Sequence, residues 1–80
     1  MNFSEIIEEA ENFAKLNCMN FMITYLTNGV WVADFRIADV NGKDLTEPIF
    51  FHVSEDKCEA ILEAMKKAKN FIMQNMVLIN

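Results

Sequence analysis

Eighty residues make one domain, 1–80, and an apolar fraction of 52% argues for a folded globular protein over a disordered chain. Twelve acidic against seven basic side chains leave a net charge of −5, which argues against general binding to nucleic-acid backbone or to an anionic membrane surface. No stretch approaches the ~20 apolar residues of a membrane span. The start of the chain is acidic and amphipathic, unlike a signal peptide, so a cytoplasmic protein is expected.

The first element is a helix from about Phe3 to Leu16. Phe3, Ile6, Ile7, Ala10, Phe13 and Ala14 recur at three- and four-residue spacing, which is one helix face. Asn2 with Glu5, or else Ser4, suits the N-cap. Early glutamates suit the positive end of the helix dipole, and Asn17 is a stop signal.

Met19 to Ile37 reads as a β-hairpin around Asn28-Gly29. A two-residue Asn28-Gly29 loop sets Ile23 opposite Asp34 and leaves neither face consistently apolar. A three-residue loop, Thr27-Asn28-Gly29, sets Tyr25 opposite Trp31, Ile23 opposite Ala33, Phe21 opposite Phe35 and Met19 opposite Ile37. A slip of one residue moves a whole strand's side chains to the other face. The three-residue loop is therefore the expected one.

A second Asn-Gly pair, Asn41-Gly42, precedes a third strand from about Glu47 to Val53. If that loop is also of odd length, Ile49 faces Phe35, Phe51 faces Ala33 and Val53 faces Trp31. Pro48 donates no ladder hydrogen bond, which suits an edge strand. The last helix is expected to start at Ser54 as N-cap, with Glu55 and Asp56 in its first turn. Cys58, Ile61, Leu62, Met65, Ala68 and Ile72 form its apolar stripe. Residues 76–80 form an apolar C-terminal tail, read either as more helix or as a short extended segment.

These elements specify an α+β fold of order α-β-β-β-α. The sheet is three-stranded and antiparallel, in order 1-2-3, with two helices packed on one face.

Little in the chain carries chemistry. His52 is the single histidine and is expected on the outer sheet face, near Val32 and Asp34. Cys18 and Cys58 have neither metal nor redox spacing and read as buried reduced thiols. No nucleophile–base pair, metal-ligand cluster, phosphate-binding loop or dinucleotide fingerprint can be built. The expectation is a non-enzymatic protein without catalytic residues, cofactor or metal.

Two surfaces are candidates for a protein partner. One is acidic: Glu5, Glu8 and Glu9 on the first helix, with Asp39, Asp44 and Glu47 around the second loop. These carboxylates could imitate a row of phosphates before a basic groove. The other is the outer sheet face, read as Asn20, Met22, Thr24, Leu26, Val30, Val32, Asp34, Arg36, Phe50 and His52. Met22, Val32 and Phe50 give it more apolar area than a solvated face needs. With the tail, this face suggests a homodimer as an alternative.

Lys66-Lys67-Ala68-Lys69-Asn70 is the one basic cluster. Together with the element order it resembles the double-stranded-RNA-binding domain, whose lysines clamp phosphates from the start of the last helix. Here the lysines come well after the expected cap, and the net charge is acidic. By size, charge and element order the chain also resembles small acidic phage-encoded inhibitors, including anti-CRISPR proteins. That likeness implies a protein that occupies a basic, nucleic-acid-binding surface of its target.

Overall fold

A computed structural model describes residues 2–79, with side chains as far as Asn75. Its elements are α1 (Phe3–Leu16), β1 (Met19–Tyr25), β2 (Trp31–Ala38), β3 (Asp44–Ser54) and α2 (Lys57–Ile79). The strands form one antiparallel sheet in the order β1-β2-β3, and both helices cover one of its faces.

A reciprocal capping box starts α1. Asn2 Oδ1 accepts from the Glu5 N–H at 2.9 Å, and the Asn2 N–H donates to Glu5 Oε1 at 3.2 Å. Ile6, Ala10 and Ala14 are buried, with Phe3, Ile7 and Phe13 packed beside them. The two alanines keep the buried stripe thin, so α1 lies close to what it covers. At the other end the Asn17 side chain donates to the Phe13 carbonyl at 2.8 Å. Cys18 follows at φ 54, the left-handed residue that commonly ends a helix. That exit turns its thiol outward, so Cys18 is exposed rather than buried, whereas Cys58 packs against the core.

The first hairpin has the three-residue loop. Leu26 N–H donates to Val30 O at 2.8 Å, Gly29 N–H donates to Leu26 O at 3.0 Å, and Gly29 has φ 92. Tyr25 pairs with Trp31, Ile23 with Ala33, Phe21 with Phe35 and Met19 with Ile37. Phe35 is fully buried at the centre of the core. Its ring is stacked on Phe21 at 4.9 Å and meets Phe13 edge-on at 5.5 Å.

The second loop is built in the same way, with Asp39 N–H bonded to Lys43 O, Gly42 N–H bonded to Asp39 O, and Gly42 at φ 82. It too has an odd length, Val40-Asn41-Gly42. The pairing beyond it nevertheless differs from the expected one. Ala38 pairs with Asp44, but Arg36 pairs with Ile49, so Ile37 alone stands opposite Leu45, Thr46, Glu47 and Pro48. The excess of three residues on β3 is odd, and an odd excess exchanges the two faces of a strand. Phe50 therefore faces Phe35, His52 faces Ala33 and Ser54 faces Trp31. Phe50 is a core residue, 9% exposed, with its ring 5.1 Å from Phe71. His52 lies on the helix-covered side, not the outer one. Ile49, Phe51 and Val53 turn outward.

The longer β3 also displaces the next cap. Ser54 is still paired in the sheet, and Asp56 caps α2 instead, its Oδ1 accepting from Cys58 N–H at 2.8 Å and Glu59 N–H at 3.3 Å. Ser54 Oγ accepts from Asp56 N–H and donates to Glu59 Oε2 at 2.6 Å, which braces the turn. Ala60, Ile61, Ala64, Met65 and Ala68 are the buried stripe of α2, with Cys58, Phe71 and Ile72 at its margins. The buried stripe spreads from Ile61 and Met65 toward the alanine row at 60, 64 and 68 instead of toward Leu62, which lies on the other side and is 41% exposed. The backbone continues helical to Ile79, so the tail extends α2 and does not fold back as a strand. The side chains of residues 76–80, and any contact made by that tail, lie outside the described residues.

Candidate protein-contact surfaces

The outer sheet face is a grid of three cross-strand rows: Asn20, Arg36 and Ile49; Met22, Asp34 and Phe51; Thr24, Val32 and Val53. Leu26, one step past β1, continues the same side by alternation. Met22, Leu26, Ile49, Phe51 and Val53 are exposed large hydrophobics, Phe51 at 51%. Val32 is half-buried between its neighbours. The face is more apolar than the residue pattern suggests, because β3 supplies three large side chains where Phe50 and His52 were expected. Ile49, Phe51 and Val53 are thus the surface residues missed in sequence. Pro48 was the available signal, since proline inside a β-run marks an edge or a bulge.

Two charges stand in this grid, both on the central strand. Asp34 is 8% exposed, walled by Met22 and Phe51 in its own row. Arg36 Nε donates to Asp34 Oδ1 at 3.3 Å. Among the described residues, the terminal Nη groups of Arg36 have no hydrogen-bond acceptor.

The acidic candidates are dispersed by the fold. Glu5, Glu8 and Glu9 do come together, beside Asn12, Phe13, Leu16 and Asn17, along an open groove of about 520 Å³ on α1 that Lys69 of α2 edges. Glu9 is half-buried, with Oε1 3.7 Å from Lys69 Nζ; its Oε2 is covered and has no hydrogen-bond partner among the described residues. Glu5 is exposed and also serves the cap. Asp39 Oδ1 accepts from Asn41 and Lys43 N–H, which closes the second loop. Asp44 accepts from the Asn20 amide at 2.6 Å. Glu8 and Glu47 are left as exposed carboxylates, on α1 and in the irregular part of β3.

The lysine cluster also diverges. Lys67 Nζ donates to the Phe51 carbonyl at 2.7 Å and lies 3.4 Å from His52 Nδ1, on the β3 flank of α2. Lys69 turns to the α1 flank, toward Glu9 and over the Phe13 ring at 5.6 Å. Lys66 is exposed between them.

Among the described residues no group of three or more His, Cys, Asp or Glu side chains is placed to hold a metal. Among them, no helix is long and apolar enough to cross a membrane. Comparison with protein families, curated proteins and solved structures found no match to this chain.

Proposed function

We propose that this chain is a non-enzymatic protein-binding module that makes its principal contact through the outer face of the sheet. One observation carries the reading: Ile49, Phe51 and Val53 alternate outward on β3 and join Met22, Leu26 and Val32 into one apolar surface. Exposed apolar area is worth about 25 cal/mol per Å² once removed from water, and large contiguous patches mark interfaces. The test is recovery of partners by tagged wild-type protein from nuclease-treated bacterial lysate, compared with Phe51→Asp and Glu8→Lys variants. A protein partner lost with Phe51→Asp and kept with Glu8→Lys supports the reading. The opposite pattern overturns it.

A second reading is favoured by the groove on α1. Exposed Glu5 and Glu8 line the same groove as Leu16, which is 82% exposed, so acidic groups and an apolar one succeed each other along α1. Such a line suits a basic, amphipathic segment of a target. It is the form in which the chain would act as a small phage-type inhibitor on a basic, nucleic-acid-binding surface. Binding of that kind weakens as salt rises and is abolished by Glu8→Lys.

A further inference from the structure

We infer that the outer face of the sheet is occupied by a second copy of this chain, packed face to face about a two-fold axis, with Asp34 of each copy meeting Arg36 of the other. This rests on reading that face as a protein-contact surface and names its occupant.

Charge selects the face. The chain carries −5, so two copies repel one another on most approaches. The nine-residue grid holds one acidic and one basic side chain and is itself neutral, with the Asp44 carboxylate at its rim held by the Asn20 amide. Like copies therefore meet here with little charge repulsion and with five exposed large hydrophobics each, Met22, Leu26, Ile49, Phe51 and Val53, to bury.

Charge also selects the orientation. A two-fold interface is self-complementary, so a residue that meets another must be met by it in turn. Asp34 and Arg36 are two apart on the central strand, with Phe35 between them facing the core. A two-fold axis in the interface plane, perpendicular to β2 at the level of Phe35, runs the two β2 strands antiparallel. It places each Asp34 over the opposing Arg36. An axis parallel to β2 would set Asp34 over Asp34 and Arg36 over Arg36, which is repulsive. The Nη groups of Arg36, without an acceptor among the described residues, can then take the second copy's Asp34 carboxylate, while Nε keeps its own. Sheets packed in this way lie roughly 10 Å apart, a gap shared by a long side chain and a short one.

The test is the solution mass by light scattering over a range of protein concentrations. The chain is expected at twice its 9.3 kDa. Asp34→Arg alone and Arg36→Asp alone set like charges against each other, and each is expected to be monomeric. An equimolar mixture of these two variants restores both cross pairs and is expected to return to the doubled mass. Phe51→Asp, an exposed position outside the ion pair, is expected to be monomeric with unchanged far-UV circular dichroism; it serves the test if the charge variants do not fold. A wild-type protein that stays monomeric throughout overturns the inference, as does a dimer that survives Phe51→Asp. If a wild-type monomer still recovers another protein that Phe51→Asp loses, the second copy alone is rejected and the contact face stands.

Discussion

The two hairpins share a turn and differ in everything after it. Both use a three-residue loop ending in a left-handed glycine, Gly29 at φ 92 and Gly42 at φ 82. In the first, seven consecutive pairs run from Tyr25–Trp31 to Met19–Ile37 without interruption. In the second, the ladder breaks one step beyond the loop-closing pair, and four residues of β3 pass opposite Ile37. A turn therefore transmits its register only along an unbroken ladder. Past a break, parity is set by the size of the excess, and here that parity places Phe50 inside and Phe51 outside.

That difference can be probed most strongly at the adjacent phenylalanines. Phe50→Ala removes a ring packed on Phe35 and Phe71 and should cost about 3–5 kcal/mol in urea denaturation. Phe51→Ala, measured where the chain is monomeric, should stay within about 0.5 kcal/mol. Equal losses at the two positions would contradict the register of β3. The likeness of the two turns can be probed next. Gly29→Ala and Gly42→Ala should each cost about 1–2 kcal/mol, because an added Cβ meets nothing within 4 Å and the whole penalty is the left-handed backbone. Unequal values would assign the difference to the Asp39 side-chain bonds that close the second loop and have no counterpart at Leu26 in the first.

A smaller effect is expected where β3 hands over to α2. Asp56→Ala should lower stability by about 1 kcal/mol through loss of the cap, and Ser54→Ala should lower it less. The smallest effect on stability concerns the outer edges of the hairpins. β3 is guarded by Pro48, by its irregular segment and by Lys67, which covers the Phe51 carbonyl. β1 carries no charged residue at all. Lys67→Ala should change the denaturation midpoint little, within about 0.5 kcal/mol, and should raise light scattering on storage because it uncovers a strand edge. Unchanged scattering would assign the protection of that edge to Pro48 and the irregular segment alone.

Much of the fold was legible without coordinates. The α1 stripe, its capping box, the first hairpin and the 1-2-3 strand order follow from local spacing and from the demand for one dry face. The candidate surface was only half legible. Met22 and Val32 lie on the outer face as expected, because the first hairpin set them there. Phe50 does not, and Ile49, Phe51 and Val53 were hidden by the same parity. Glu9, Asp39 and Asp44 read as free carboxylates until the fold supplied Lys69, the second loop's own N–H groups and Asn20 as their partners.

By itself the sequence determined whatever a few neighbouring residues decide: periodicity for the helices, Asn-Gly for both turns, and the alternation that sets the first hairpin. Only the tertiary structure decided how many residues of β3 loop out beside Ile37, where that strand stops and a cap takes over, and which stripe of α2 turns inward. Those choices depend on filling one shared core around Phe35, Ile61 and Met65. Either face of β3 is apolar enough to be buried, so local pattern leaves its two registers nearly equal, and packing against α2 separates them.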